Sequence, residues 1–278
     1  MKNLILILII TLPLTLLGQG WEQTYGGIDH DWGTSGKQTS DGGYIITGST
    51  SSFGNGSNDV WLIKTDSQGD SIWTKTFGGT HQKGKSVQQT TDGGYIICGT
   101  REDIPEIGDV YLIKTDSQGD SIWTKTFGGV ENDEGYSVQQ TTDGGYIITG
   151  ETNSFGNGES DVWLVKTDSQ GDSLWTKTFG GNEQDGGSSV QQTIDGGYVI
   201  IGYTDDPFVN GGVEDLFVIK TDGNGNITST FEIPLPNPDR KLEKTVNLIG
   251  QEIKPQTNTP IIEIYDDGSV EKKLIFEK

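Results

Sequence analysis

The sequence predicts an all-β fold, a β-propeller of about four four-stranded blades followed by a small β module, and three observations lead to this prediction. The chain has 42 glycines among 278 residues and no alanine, a composition that disfavours helices. The tetrapeptide DGGY begins at Asp41, Asp92, Asp143 and Asp195, so a unit of about 51 residues occurs four times. Each unit contains only strand-like segments, which is typical of propeller blades rather than of helical solenoids.

Each unit contains four strand-like segments. The first, such as SVQQT at residues 86–90, ends in a Thr-Asp-Gly-Gly turn where glycine permits a positive φ. The second, GYIITGST at residues 43–50, is rich in β-branched and aromatic residues. The third, DVWLIKTD at residues 59–66, is joined through SQGD to the fourth, SIWTKTF at residues 71–77, in a hairpin. Both alternating sets of side chains in the third strand are apolar, which predicts packing on both faces, whereas an open sheet or sandwich would show one polar face.

The two ends of the repeat array predict how a ring closes. Residues 21–27, WEQTYGG, have the sequence of a fourth strand with no blade before them. The last unit ends at residues 226–231 without the Trp and the Gly-Gly of the other units. We therefore expect the N-terminal strand to complete the last blade and remove exposed strand edges, which gives four blades. A partial or five-bladed arrangement is the alternative.

The first 20 residues predict a secretory signal peptide. Lys2 precedes an apolar run from Leu4 to Leu17, which is shorter than the roughly 20 residues that span a bilayer. We expect cleavage near Gly18 or Gly20, with a single membrane anchor as the alternative. No later stretch is apolar for long enough to cross a bilayer, so we expect no transmembrane segment in the mature chain. The predicted location is secreted, either extracellular or on the outer cell surface.

Charge and cysteine content exclude several classes of protein. The chain has 19 basic and 40 acidic residues, a formal net charge of −21, which is opposite in sign to the surface that nucleic acid requires. Its one cysteine rules out an internal disulfide and a cysteine-based zinc site. The residues after Pro238 are nearly balanced in charge, so the acidity belongs to the repeats. The expected organisation is a signal peptide at 1–20, a propeller at 21–234 and a C-terminal module at 235–278.

The repeat unit resembles those of known secreted proteins. Residues 135–181, GYSVQQTTDGGYIITGETNSFGNGESDVWLVKTDSQGDSLWTKTFGG, are similar to repeats of secreted β-propeller proteins from Bacteroidetes-type bacteria. More loosely, they resemble the pyrroloquinoline-quinone-type propeller repeat. The acidic and basic cluster that a quinone enzyme needs is not identifiable here, so we expect no cofactor. The resemblance spans residues 21–231 and implies architecture rather than activity.

The C-terminal segment resembles a sorting signal. Leu235-Pro-Asn-Pro238, the segment VNLIGQEI at 246–253 and the segment IIEIYDDGSVEKK at 261–273 are similar to the C-terminal sorting domain of the type IX secretion system. The resemblance implies export through the outer membrane, with this tail bound by the secretion machinery as partner. The residues themselves predict three short strands, with Asp266-Asp267-Gly268 as a turn before a lysine-containing edge strand. A purely structural C-terminal hairpin is the alternative.

Acidic residues recur at two places in every unit. The turns Asp66–Asp70 and Asp222–Asn226 place oxygen atoms as calcium loops do, but they lack the downstream glutamate, and hairpin turns favour the same residues. The carboxylates before the third strand are expected to accept hydrogen bonds from neighbouring backbone amides, with a cation-binding ring as the alternative. These carboxylates are Asp59, Asp109, Asp161 and Asp215. We assign no metal-binding residue.

No catalytic residues are assigned either. His30 and His81 are expected in non-equivalent loop settings without a nucleophile or metal partner. Cys98 replaces the threonine of Thr47 and Thr149, which predicts a small buried side chain.

The predicted function is a non-enzymatic binding or scaffold protein with a protein or glycan ligand on its variable loops. These loops are Ser51–Asn58, Arg101–Ile107 with Arg101, Thr152–Ser160, and Thr204–Val213 with Phe208. The alternatives are a hydrolase or lyase acting on extracellular polysaccharide, and a calcium-stabilised adhesive module.

Overall fold

The computed structural model describes most of the repeat region and parts of the tail. The described residues are 20–79, 81–104, 107–205, 214–227, 241–247, 251–254, 260–266 and 270–274. The chain divides into two compact units, Met1–Thr228 and Ser229–Lys278. The apolar run of the predicted signal peptide and the expected boundary at 234–235 lie outside the described residues. Within the described ranges, no helix has the length and apolarity to cross a membrane.

The first unit contains four antiparallel sheets in its described residues, one from each repeat. The first sheet has β1 (Asp31–Gln38), β2 (Tyr44–Thr50), β3 (Asp59–Thr65) and β4 (Ser71–Phe77). The second has β5 (Gln82–Gln89), β6 (Tyr95–Ile104), β7 (Ile107–Thr115) and β8 (Ser121–Phe127). The third has β9 (Asp133–Gln140), β10 (Tyr146–Thr152), β11 (Asp161–Thr167) and β12 (Ser173–Phe179). The fourth has β13 (Asp185–Gln192), β14 (Tyr198–Thr204) and β15 (Asp215–Thr221).

Each sheet is a simple meander in which consecutive strands are hydrogen-bonded neighbours. The turns are those that the sequence predicts, because Gly42 (φ 86°) and Gly69 (φ 84°) adopt a backbone conformation that L side chains rarely tolerate. The prediction of an all-β fold with four-stranded antiparallel sheets is therefore confirmed.

Successive sheets pack face to face through apolar side chains. Between the first and second sheets, Val60 and Leu62 of β3 lie in one buried cluster with Ile97 and Tyr111 of the second sheet. Equivalent clusters join the second sheet to the third and the third to the fourth. Every residue of β3 is buried, so the prediction of coverage on both faces is confirmed for the first sheet, whereas Leu216 and Val218 of β15 are exposed.

Cys98 belongs to the cluster between the second and third sheets and is fully buried. Burial raises the pKa of its thiol to about 12. The prediction of a small buried side chain at this position is confirmed.

The first strands of the four sheets meet around a common cavity. A space of about 530 Å³ is lined by residues of β1, β5, β9 and β13. Glutamines join these strands: Gln89 Oε1 accepts from the Ser40 amide at 2.8 Å, and Gln140 Oε1 accepts from the Thr91 amide at 2.9 Å. Each sheet is thus fixed to the next near this cavity by side-chain to backbone hydrogen bonds.

The predicted closure by the N-terminal strand is not shown. Residues 20–27 lie outside the named strands, and the described part of the fourth sheet ends at β15. The Trp21 ring packs edge-on against Tyr44 of the first sheet, with ring centroids 5.5 Å apart, as the fourth-strand Trp73 packs on Tyr95 of the next sheet.

The second unit is a three-stranded antiparallel sheet of β16 (Leu242–Val246), β17 (Pro260–Tyr265) and β18 (Val270–Leu274). Three short strands and a lysine-containing final strand agree with the sequence. β16 ends at Val246, and residues 248–250 of the segment 246–253 lie outside the described residues. The Asn247 amide donates to the Gln251 carbonyl oxygen at 2.8 Å. Glu252 forms an isolated antiparallel bridge with Val246.

Candidate functional site

The variable loops lie at one end of the sheets. We call the loop face the segments 51–58 and 153–160, which join second to third strands, together with 128–132 and 180–184, which connect successive sheets. Hydrogen bonds tie segment 153–160 to both connecting segments: the Glu131 amide donates to Ser154 Oγ at 3.0 Å, and Gln184 Nε2 donates to Glu159 Oε2 at 2.8 Å. This part of the loop face is therefore fixed by contacts between its segments.

Two equivalent phenylalanines are the most exposed aromatic groups of the 51–58 and 153–160 loops. Phe53 and Phe155 are each 45% exposed. Each ring packs on a tryptophan of the adjacent third strand, with centroids 5.3 Å apart for Phe53 and Trp61 and 5.4 Å apart for Phe155 and Trp163. One side of each ring is thereby supported by the core while the rest contacts solvent.

The loop predicted at residues 101–107 is corrected by the structure. Residues 101–104 continue β6, and β7 begins at Ile107, so the second repeat extends its hairpin where the first and third repeats have a loop. The Arg101 guanidinium lies over the Tyr111 ring, 5.8 Å from its centroid. Arg101 therefore belongs to the sheet surface. Phe208 of the fourth loop lies outside the described residues.

Two carboxylates, the partly buried Asp31 and the fully buried Asp133, accept hydrogen bonds from the loops and their neighbours. Asp31 Oδ2 accepts hydrogen bonds from the Gly27 amide at 2.8 Å and from Ser52 Oγ at 2.7 Å. Asp133 Oδ2 makes the same pair of contacts, with the Gly129 amide and Ser154 Oγ. Sequence reasoning missed Asp31 and Asp133, which begin the first strands of their sheets. The second repeat has Gln82 at the corresponding position, so the acidic residue does not recur in every repeat.

The carboxylates that precede the third strands act as expected where their contacts are described. Asp59 Oδ2 accepts from the Asn55 amide at 2.7 Å, and Asp161 Oδ2 accepts from the Asn157 amide at 2.6 Å. Burial raises the pKa of both carboxyl groups, only partly offset by these amides, and the neighbouring Asp185 also raises the pKa of Asp161. Their role here is to hold the 51–58 and 153–160 loops against the sheets.

The acidic turns between third and fourth strands are hydrogen-bonded internally. Asp66 Oδ1 accepts from the Gln68 and Asp70 amides, each at 2.9 Å. This is the contact that an Asx-type turn makes. Over the described ranges, no group of three or more His, Cys, Asp or Glu side chains is arranged to hold a metal.

The two histidines lie at equivalent positions of the repeat, but their side chains have different contacts: His30 stacks on Trp32, and His81 lies beside Ser57 and Asn58. His30 immediately precedes β1 and His81 immediately precedes β5. The His30 carbonyl oxygen accepts from the Ser51 amide at 2.8 Å, and the His81 carbonyl oxygen accepts from the Glu102 amide at 2.9 Å. The two short peptide segments around them, IDHDW and GTHQK, have too little in common to reveal this equivalence.

These sheets, joined around one cavity, define a β-propeller-type repeat protein. No protein-family model matches the chain, and no curated protein matches it. Among solved structures it is similar to a protein of unknown function from Bacteroides caccae, with 11% identity, 73% of this chain and 82% of that chain covered, and a TM-score of 0.36. It is also similar to an endo-1,5-α-L-arabinanase from Thermotoga petrophila, with 16% identity, 87% and 70% covered, and a TM-score of 0.42. With TM-scores below 0.5, these likenesses support no statement about activity.

Proposed function

We propose that this chain is a secreted or surface-displayed, non-enzymatic binding protein that takes a glycan on its loop face. The observation that carries the proposal is the pair of supported, half-exposed rings of Phe53 and Phe155. Aromatic faces held in this way stack on the apolar faces of sugar rings, while the surrounding Asn, Ser and acidic side chains offer hydrogen bonds to hydroxyl groups. A protein ligand is the second possible occupant of the same surface.

The pair of buried carboxylates beneath the loop face favours binding over hydrolysis. Asp161 and Asp185 are neighbours across the third and fourth sheets, but each is only 2% exposed. A glycosidase needs one acidic pair that contacts its substrate. Because these carboxylates are covered by the loops that they hold, they are poorly placed to reach a polysaccharide.

The binding proposal predicts the effect of removing the two rings. In a glycan-array screen followed by titration, the double substitution Phe53→Ala and Phe155→Ala should weaken binding about tenfold, since each aromatic contact contributes about 0.5–1.5 kcal/mol. Leu174→Ala, in the outer strand β12, is the matched control because Leu174 is also exposed, at 58%. Equal affinity in the double variant and the control would contradict the proposal, and release of cleaved glycan would favour the hydrolase or lyase.

We further propose that the C-terminal unit directs export by the type IX secretion machinery. The support is its sequence resemblance together with a compact sheet separate from the repeats. Deleting residues 241–278 should retain the repeat unit in the periplasm, because it is no longer exported across the outer membrane. Surface protease accessibility and the amount of this protein in the medium measure the effect. Deletion of the tail with undiminished surface display would show that export does not depend on this unit.

A further inference from the structure

The cavity between the four first strands has no acidic side chain among its described lining residues. Its one ionisable lining group is the Lys37 ammonium of β1, and the other lining residues are glutamines, serines and valines. The chain as a whole has 40 acidic and 19 basic residues. The side chains of this cavity wall therefore carry the opposite charge to the protein as a whole, and a positive group in a cleft attracts anions.

The cavity lies toward the end of the strands that is remote from the loop face. β9 begins at Asp133, directly after the loop-face segment 128–132, and ends at Gln140. The lining residues of β9 are Ser137–Gln139, in the second half of the strand. A ligand in this cavity does not need the loop face, so an inference about it does not rest on the proposed function.

Two glutamines of the lining have amide nitrogens that are free to donate, because their amide oxygens are already occupied. Gln88 Oε1 accepts from the Gln140 amide at 2.8 Å, and Gln139 Oε1 accepts from the Gln192 amide at 2.5 Å. A backbone N–H can only donate, so it fixes which end of each side-chain amide is the oxygen. Neither Nε2 group has a hydrogen-bond partner among the described residues, which leaves N–H donors available at the cavity wall.

Lys37 stands at the position of Gln88 and Gln139, one residue before the last residue of its strand. Every other lysine in the described part of the repeats has a hydrogen-bond or ion-pair partner, whereas Lys37 has none among those residues. An ammonium cannot accept a hydrogen bond, so the Gln89 amide lacks the side-chain acceptor that the equivalent Gln140 amide has. The first sheet therefore adds a cation to the cavity where the next two sheets have a neutral amide.

Serine hydroxyl groups add neutral donors to the same wall. The Val138 amide donates to Ser86 Oγ at 3.4 Å, and the Val190 amide donates to Ser137 Oγ at 3.3 Å. Because each oxygen already accepts from a backbone amide, its own hydrogen can be donated to a ligand. The lining thus combines one cation with N–H and O–H donors.

We propose that this cavity binds a small organic acid through a single carboxylate group. The carboxylate pairs with Lys37 Nζ and accepts hydrogen bonds from the glutamine Nε2 groups, and such charge-assisted contacts are among the strongest hydrogen bonds. One lysine compensates one negative charge, whereas the net charge of −21 opposes more highly charged anions such as sulfate. The cavity volume of about 530 Å³ is within the range of small-molecule sites and accommodates a sugar acid.

Calorimetric titration of the full chain at low salt tests the proposal with D-galacturonate, its neutral counterpart D-galactose, acetate and sulfate. We expect saturable binding of galacturonate and acetate. Lys37→Gln introduces the residue found at this position in the other three sheets, so it should fold, and it should weaken galacturonate binding by about tenfold or more. Lys177→Gln in β12 is the matched control, because it removes the same charge outside the cavity.

The outcomes separate this proposal from that for the loop face. The double substitution Phe53→Ala and Phe155→Ala should leave galacturonate affinity unchanged. The proposal is overturned if neither galacturonate nor acetate binds the native chain, or if Lys37→Gln and Lys177→Gln bind galacturonate equally. Galactose binding that Lys37→Gln weakens to the same extent, or sulfate binding tighter than that of acetate, would show that the cavity does not select a single carboxylate.

A second variant adds a charge instead of removing one. Gln139→Glu keeps an oxygen that accepts from the Gln192 amide and places a carboxylate in the lining, so it should abolish galacturonate binding by repulsion. Gln170→Glu, in an exposed turn, is the matched control for the added charge. Undiminished galacturonate binding by Gln139→Glu would contradict a carboxylate site in this cavity.

Discussion

Replacing Gly150 with alanine is expected to lower the free energy of unfolding by about 3 kcal/mol, the largest effect of a single added methyl group that we predict. Gly150 lies in β10 at a register shift against β9, and a Cβ there would lie 1.7 Å from the Glu134 carbonyl oxygen. Because the atom it meets belongs to the backbone of a paired strand, no side-chain rotation relieves the clash. Urea unfolding followed by tryptophan fluorescence measures the change.

Gly181→Ala is the matched control for this prediction. Gly181 follows β12 in the same repeat, and a Cβ added to it would have no atom within 4 Å. Its substitution should change the free energy of unfolding by less than about 0.5 kcal/mol. If the two alanine variants have the same urea midpoint, the close approach of the strands at Gly150 is not present in solution.

Lys114→Met is expected to destabilise the protein by about 2 kcal/mol, because it removes a nearly buried ammonium and leaves its aspartate partner without a counter-charge. Lys114 Nζ lies 2.9 Å from Asp92 Oδ2 and donates to the Thr115 carbonyl oxygen at 2.8 Å, and the lysine side chain is only 5% exposed.

Lys220→Met is the control. Lys220 makes the same contacts with Asp195 and the Thr221 carbonyl oxygen but is 41% exposed, so its loss should cost less than about 1 kcal/mol. Thermal or urea unfolding measures both variants. An equal loss of stability in Lys114→Met and Lys220→Met would contradict the prediction that the buried ion pair contributes more.

The same ion pair predicts a dependence on pH. Burial tends to raise the pKa of Asp92, but hydrogen bonds from Thr90, Lys114 and the Gly94 amide prevail and lower it to about 2. A carboxyl group with a lowered folded-state pKa stabilises the protein above its ordinary pKa of 3.8, and this contribution is lost as the pH falls toward 2. The difference in stability between the native chain and Lys114→Met should therefore shrink over that interval.

Much of the fold could be predicted from the sequence because the signals are local. A four-residue turn with a glycine at positive φ, such as Gly42, ends a strand wherever it occurs. The apolar residues on both faces of β3 predicted that both faces are covered, and every residue of β3 is buried. The buried role of Cys98 followed from the threonine at the same place in other repeats.

The parts that sequence reasoning missed depend on contacts between residues far apart in the chain. Asp31 supports a loop that begins some 20 residues later, and no local pattern marks it. The pairing of Lys64 with Asp41 joins two recurring motifs that were each visible, but their proximity follows only from the register of β2 and β3. The extended hairpin at residues 101–104 replaced a predicted loop because its residues continue the ladder with β7.

The sequence by itself determined the composition of each sheet, its turns and the faces that must be covered, because these follow from periodicity and backbone preference within about 50 residues. How successive sheets are arranged was decided only by the tertiary structure. That arrangement depends on packing between neighbouring sheets, in which side chains such as Leu62 and Tyr111 share one buried cluster. The same packing leaves Leu216 and Val218 of the last sheet exposed, although their equivalents in the first sheet are buried.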